Sequence, residues 1–316
     1  MSAVRPPRPA GSLWPSAVGP IVRARSRRSN RAPYAFVAPF VVLFAAFTLY
    51  PLARSLVLSV YSSTGPGRHT FVGLQNYRVA AGDWLLGTAL VNTLVYTVAF
   101  LALYVPASLG LALVLNSRTV RLRSVFRFAF FSSHLVGHVF VAVIFMLLLA
   151  PRHGVINRAL AATIPGLTSD LNWRGDSSLA MPALVLSGLW LSIGYGMLYF
   201  LAALQNADRD LYGAAAIDGA SRWAVFRHVT VPAIKPVATF IVLVGTVGAL
   251  QLFEVPYVLF EGAGPGFAGL TMVMYLYQHG FETGDLGYAA AVGWLLALII
   301  GVVAAAQLRL AGPRGR

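Results

Sequence analysis

Cysteine is absent from the 316 residues, lysine occurs once, at Lys235, and charged side chains of every kind make up only 11%. Without cysteine there is no disulfide, no thiolate metal site and no cysteine nucleophile. The lone lysine belongs to no Gly-x4-Gly-Lys-Ser/Thr run, so the chain carries no phosphate-cradling P-loop. A charge content this low, with 58% apolar residues and a mean hydropathy of +0.71, lies outside the range of soluble domains of this length. Lipid is the solvent for most of this chain.

Six apolar runs are present, each of the order of the roughly 20 residues needed to cross a bilayer core. They lie at about 34–60, 88–115, 124–150, 180–204, 236–260 and 287–310. Backbone polar groups in lipid must be satisfied inside the segment, and these runs show no period-two alternation. The pattern predicts an all-α polytopic membrane protein with six transmembrane helices and excludes a transmembrane barrel.

The formal charge of +14 invites comparison with nucleic-acid binders. Its distribution argues for a topology signal instead. With the N-terminus inside, 18 of the 24 Lys and Arg residues fall in segments on the cytoplasmic side, including Arg118, Arg121, Arg123 and Arg127, and Arg209, Arg222, Arg227 and Lys235. Positive residues concentrate inside, so both termini are expected in the cytoplasm and no nucleic-acid partner is expected. Residues 1–33, rich in proline and arginine, read as a basic disordered or surface-lying tail, 34–310 as the membrane domain and 311–316 as a second short tail. Ser26-Arg27-Arg28-Ser29-Asn30 has the look of a twin-arginine signal, but the long run after it reads as a retained span.

Several local features carry expectations. Tyr50-Pro51 is placed to kink the first span. The segment Phe71-Val72-Gly73-Leu74-Gln75-Asn76-Tyr77 is too apolar for a merely solvated outer loop and is expected to pack on the membrane surface. The outer loop 151–179 is turn-rich and reads as a short cap. Glu254 is the single acidic residue in a core span, and Gln251, Glu254 and Tyr257 follow at three-residue spacing, so they are expected near one helical face as substrate-pathway candidates. Tyr195, between Gly194 and Gly196, joins them, with close helix packing as the competing reading. His134 and His138 share the spacing of a two-histidine metal pair, but no third ligand accompanies them, and they are read as packing or cavity-lining residues, with no metal site.

The loop between spans four and five, 205–236, is the most informative stretch. Two short helical patterns meet at Asp218-Gly219, and Trp223, Phe226 and Val229 fall on one face of the second, with Pro232 marking the break before span five. Composition alone leaves two readings open, a helix lying on the bilayer and a helix docked in a partner's groove.

Ala214, Ala215, Gly219 and Pro232, with Val229 and Val231 in place of Ile and Leu, resemble in register the signature cytoplasmic loop of binding-protein-dependent ABC importers, Glu-Ala-Ala, three residues, Gly, nine residues, Ile, one residue, Leu-Pro, and Asp218-Gly219-Ala220-Ser221 is similar to the Asp-Gly-Ala-Ser of its sugar permeases. Gly213 departs from the signature by standing where the family carries glutamate. Phe71–Tyr77, Asn92-Thr93 and Gln251–Leu259 with Gly264-Pro265-Gly266 are similar to further motifs of the sugar permeases of the maltose and glycerol-phosphate transporter type. Those relatives tend to have prolines near positions 133 and 138, so the third span is expected to be straighter here.

The resemblance implies a type I ABC importer transmembrane domain with a cytoplasmic coupling loop. It implies an inner-membrane permease subunit, not an enzyme, that forms half of the pathway for a carbohydrate. Implied partners are a second homologous permease or a copy of this chain, two ATPase subunits that use ATP and Mg, an extracytoplasmic solute-binding protein and membrane lipid. No cofactor is expected on this chain. The loop residues expected to meet the ATPase are Gly213, Ala214, Ala215, Asp218, Gly219, Trp223, Phe226 and Pro232. A proton-coupled secondary carrier, which needs several buried carboxylates or histidines, and a permease for glycerol phosphate are the alternatives.

Overall fold

The structure, a computed structural model, describes residues 32–63, 69–117, 120–166 and 168–312. The expected tail 1–33, with Ser26–Asn30, lies outside them up to residue 31, as do residues 313–316 of the tail 311–316. The chain divides into two units, Met1–Pro51 and Leu52–Arg316. In the first, helix α1 (Ala32–Phe44) leads into a π turn, Ala45–Leu49, closed by the Tyr50 N–H donating to the Ala45 carbonyl. Opening the spiral just before Pro51 relieves the clash of the proline ring with the preceding turn. The irregularity expected at Tyr50-Pro51 takes this form, and α2 (Tyr50–Leu58) follows.

In the second unit a two-stranded hairpin, β1 (Tyr61–Ser63) with β2 (His69–Phe71), precedes α3 (Gln75–Gly82). The Asn76 amide nitrogen donates to the carbonyls of Ser59 and Tyr61, both at 2.9 Å, and the Tyr77 hydroxyl donates to Ser59 Oγ at 2.8 Å. The Phe71–Tyr77 motif therefore ties this loop to the end of α2, while Phe71 and Leu74 stay exposed.

The spans follow the expected runs closely at α4 (Trp84–Asn116), and the third departs. There α5 (Arg123–Ser132) and a single 3-10 turn, Ser133–Leu135, meet α6 (His138–Leu148) at a bend of 104°. The expectation of a straighter third span is thus wrong, although no proline is involved. Ser132 and Ser133 donate their hydroxyls back to the carbonyls of Ala129 and Phe130, competing with the helical ladder. Val136 and Gly137 then take extended conformations. The cap expected over 151–179 is built on α7 (Val155–Thr163) and is more than turns: buried Asn157 donates to the carbonyls of Ala150 and Leu171 and accepts from the Trp173 indole.

Helix α8 (Ser177–Asn206) is the fourth span. After it come α9 (Arg209–Ile217), α10 (Arg222–Val225), a π turn over Phe226–Thr230, α11 (Val231–Leu250), α12 (Glu254–Leu259), α13 (Met272–Tyr277) and α14 (Leu286–Ala311). Among the described residues five helices are long and apolar enough to cross a membrane, Tyr34–Leu58, Trp84–Asn116, Ser177–Asn206, Arg222–Leu250 and Leu286–Ala311, and α5 with α6 makes a sixth as a bent pair. Large apolar side chains on their outer faces, such as Val98, Leu298 and Val302, are more than half exposed, as lipid-facing residues are.

The expected single helix over 236–260 ends at Leu250. Pro256 has no N–H to offer the Leu252 carbonyl, and Thr271 Oγ1 donates to that carbonyl instead at 2.7 Å. The returning loop is held by span two: the Asn92 amide donates to the carbonyls of Phe267 and Leu270, and Thr93 Oγ1 accepts from the Met272 N–H at 3.0 Å. The Asn92-Thr93 pair thus supplies the hydrogen bonds that non-helical backbone needs at this depth.

Asp83 caps α4 by accepting from the amides of Leu85 and Leu86, and it also receives the hydroxyls of Tyr275 and Tyr288 from α13 and α14. Burial alone pushes its pKa up. The hydrogen bonds from Tyr275, the Leu86 amide, Tyr288 and the Leu85 amide outweigh it, and the net pKa lies below the ordinary 3.8. A depressed carboxylate stabilises the fold above its unfolded pKa, and the contribution is lost as pH falls through the folded one. Asp83→Asn should lower the melting temperature of the purified protein by about 2–4 °C, the shift of a ~1 kcal/mol change at this size. That gap should hold between pH 7 and 5 and close below about pH 4; a gap independent of pH would refute the charge-based account.

Candidate functional site: the 207–230 loop and the aromatic cavity

Two regions carry the chemistry. The first is the loop between α8 and α11. Asp208 starts α9 by accepting the Asp210 N–H at 2.9 Å. The helix then ends in a Schellman arrangement: the Gly219 N–H donates to the Ala216 carbonyl, and the Ala220 N–H reaches back to Ala215 at 3.0 Å. Gly219 has φ +68°, the left-handed conformation that costs side chains with a β-carbon. Ser221 at once caps the next helix by accepting the Ala224 N–H. Asp218-Gly219-Ala220-Ser221 is therefore a helix stop and a helix start in four residues. The helix–turn–helix expected from the sequence is present.

Pro232, however, marks no break. Helix continues from Arg222 to Leu250, and the π turn Phe226–Thr230 lies directly before Val231-Pro232. The same device precedes Pro51, with the residue before each proline donating to the carbonyl five residues back. The wide turn makes room for the ring and keeps the rod continuous.

Trp223 and Phe226 stack with ring centroids 5.6 Å apart, and Trp223 is 67% and Ile217 88% exposed. Gly213 faces open space, so a β-carbon there would meet nothing. Tyr212 from α9 donates to the buried Thr230 Oγ1 at 3.2 Å and pins the two helices together. The sequence reading missed that pair, and a tyrosine and a threonine 18 residues apart give no periodic signal that would find it.

The second region is a cavity of about 310 Å³ between α4, the α5–α6 bend, α8, α11 and α12. Its wall on α4 is a ladder at four-residue spacing, Tyr96, Phe100 and Tyr104, stacked with centroids 5.6 and 5.0 Å apart and rings within 11° of parallel. On α8 the lining continues with Ser192 and Tyr195, and the bend contributes His134 and His138. Because the helix breaks between them, the two histidines do not share a helical face, yet both reach the cavity. Among the described residues no third metal-type ligand joins them. Tyr195 packs in tilted contact with His134 at 4.8 Å and with Tyr199 at 4.7 Å, its hydroxyl donating to Tyr199 Oη at 3.1 Å.

Close helix packing around Tyr195 is present, and its ring also lines the cavity. Its neighbours Gly194 and Gly196 pack so closely that a β-carbon would collide with the Phe130 carbonyl oxygen and with Ser108 Oγ, while the ring itself lines the cavity. The other three pathway candidates lie elsewhere. Gln251 and Glu254 are exposed on the break after α11, and the Tyr257 hydroxyl faces Glu282 at 3.4 Å; it is Leu252 and Val255 that line the cavity. The helix break at Leu250 separates Gln251 from the expected common face, while Glu254 and Tyr257, three residues apart within α12, still share one. Tyr96, Phe100, Tyr104 and Ser192 went unnoticed in the sequence, although aromatic residues at positions 96, 100 and 104 are a four-residue repeat that signals one face.

Comparison with known proteins agrees with this architecture. The sequence model of the family described as binding-protein-dependent transport system inner membrane component matches residues 89–315. The arabinooligosaccharides transport system permease protein AraP of Bacillus subtilis is 38% identical over 281 residues, covering 89% of this chain and 88% of that one. The lactose transport system permease protein LacF of Rhizobium radiobacter is 34% identical, covering 88% and 94%. Among solved structures, a chain of a bacterial alginate ABC transporter in complex with an alginate pentasaccharide-bound periplasmic protein superposes with a TM-score of 0.78 at 22% identity, covering 90% of this chain and 94% of that one. Candidate spans numbering six when the bent third pair is taken as one, a helix–turn–helix loop between the fourth and fifth, and a family match over 227 residues place this chain in the binding-protein-dependent transport system inner membrane component family, as a multi-pass permease subunit of an ABC importer.

Proposed function

We propose that this permease forms half of the transmembrane pathway for a short neutral carbohydrate, delivered by an extracytoplasmic binding protein and driven by ATPase subunits that dock on residues 209–230. The observation that carries the reading is the loop itself. It presents Ile217 and Trp223 to solvent on either side of a sharply defined turn, the form of an anchor waiting for a groove. Gly213, Ala214, Ala215, Asp218, Gly219, Trp223, Phe226 and Pro232 belong to that docking element, Gly219 as the hinge and Trp223 with Ile217 as the anchors. A second permease, homologous or a copy, completes the pathway, and ATP and Mg are used by the ATPase partners. Both termini lie in the cytoplasm with the loop.

Carbohydrate is favoured by two features. Named relatives carry arabinooligosaccharides and lactose, and the cavity presents aromatic faces with hydroxyl and imidazole groups and no carboxylate, Arg or Lys. Such a lining suits the apolar faces and hydroxyls of neutral sugars and disfavours glycerol phosphate, whose anion calls for a cation. It also lacks the buried carboxylates of a proton-coupled carrier. Uptake by the purified chain without ATPase subunits would point to that carrier class instead.

Gly219→Val forces a β-branched residue into left-handed backbone at a cost of about 1–2 kcal/mol. In reconstituted complex it should abolish substrate-stimulated ATP hydrolysis while leaving membrane insertion intact, and full stimulation would sink the coupling assignment. Gly213→Ala should do the reverse: mid-helix in α9 with open space around it, it stabilises the helix by about 0.5–1 kcal/mol and leaves transport unchanged. Transport loss in that variant would show that the bare backbone at 213 is itself required. The cysteine-free background allows a topology test. Ala162→Cys in the α7 cap should react with an impermeant maleimide on intact cells, and Ala220→Cys only after permeabilisation; the opposite pattern would invert the proposed orientation.

A further inference from the structure

The aromatic lining does not end at the cavity. On α8 the residues facing it, Ser192 and Tyr195, are followed four residues on by Tyr199, and on α11 the cavity-lining Val244 is preceded four residues back by Phe240. Helical spacing of four keeps each newcomer on the same face as the residue that lines the cavity. Because α8 runs toward the 207–230 loop and α11 runs away from it, both newcomers lie one turn nearer that loop. Their rings meet across the two helices, with Tyr199 and Phe240 centroids 5.4 Å apart.

The result is an unbroken file, His134, Tyr195, Tyr199 and Phe240, with successive centroids 4.8, 4.7 and 5.4 Å apart. It leads out of the cavity toward the loop end of the bundle. Tyr199 is 38% and Phe240 42% exposed, so these rings are not core filling. No charged side chain interrupts the file. A row of aromatic faces at ring-to-ring spacing lets a ligand with apolar faces move from one stacking contact to the next, so that each step breaks one contact as it makes another. Pyranose and furanose rings have such C–H faces. The Tyr195 and Tyr199 hydroxyls, already hydrogen-bonded to each other, offer donor and acceptor groups beside them.

We infer that Tyr199 and Phe240 form an aromatic slide along which a neutral saccharide leaves the cavity toward the side of the 207–230 loop. This rests on the carbohydrate reading proposed above and adds two residues and a direction to it. The slide sets transport rate for sugars; it does not set delivery by the binding protein or docking of the ATPase.

The test uses the full reconstituted importer in vesicles, with radiolabelled arabinotriose and lactose as probes, and the variants Tyr199→Leu, Phe240→Leu and Tyr199→Phe. Leucine keeps the helix propensity and the apolar character that lipid or a partner helix would require, and removes only the aromatic face. The expected result is at least a tenfold fall in maximal uptake for either leucine variant, near-normal uptake for Tyr199→Phe, and unchanged recovery of the assembled complex. Uptake at the wild-type rate in both leucine variants would overturn the slide and leave the carbohydrate reading standing. Equal loss in Tyr199→Phe and Tyr199→Leu would also overturn it, because the hydroxyl and not the ring would be at work. Wild-type complex that accumulates neither probe, while its ATPase responds to an anionic solute, would overturn both.

Discussion

A backbone that leaves the helical ladder inside a bilayer must find other partners for its N–H and C=O groups, and this requirement shapes the molecule. The chain leaves the ladder twice near the cavity, at Val136-Gly137 and between Leu250 and Met272. At each place short polar side chains take over. Ser132 and Ser133 bond carbonyls of their own turn at the first, and Asn92, Thr93 and Thr271 bond the returning loop at the second. The two breaks supply walls of the cavity, His134 and His138 at the first and Leu252 and Val255 at the second. Polar residues in these spans are therefore first a structural necessity, and the cavity sits where that necessity is met.

This explains which parts of the architecture could be read from residues alone. Long apolar runs declare themselves, since nothing but a helix satisfies them, and the bounds expected for spans two, four and six lie within a few residues of α4, α8 and α14. The Asp218–Ser221 turn was legible for the same reason: a left-handed glycine followed by a serine cap is local chemistry, written in adjacent letters. What stayed hidden is non-local. The bend in span three comes from two serines and from the tight approach of Gly194 to the Phe130 carbonyl, and the end of span five from a proline whose missing donor is replaced by a threonine 19 residues away from the orphaned carbonyl.

The candidate site divides along that line. The loop residues are legible because the stop and start signals sit in sequence, whereas grouping Gln251 with Glu254 and Tyr257 assumes a helical continuity that ends at Leu250. Glu254 is a rare charge, yet it stands exposed outside the cavity; the lining includes tyrosines, and Tyr96 and Tyr104 set their hydroxyls against Gly188 and Gly196 of α8. In membrane proteins an intramembrane charge is a conspicuous sign of function. For a neutral sugar, aromatic surface is the relevant chemistry, and it hides among residues that hydropathy counts as merely apolar.

The π turn before Pro232 has a mechanical meaning. Since Arg222–Leu250 is one continuous helix of 29 residues, it spans about 43 Å at 1.5 Å per residue. Trp223 sits at one end, and Val244 and Gly248 of the cavity wall lie near the other. Neither the π turn nor Pro232 divides it into separate helices. A tilt of about 10° around its midpoint carries each end by roughly 4 Å in opposite directions, a displacement comparable to the width of an aromatic ring.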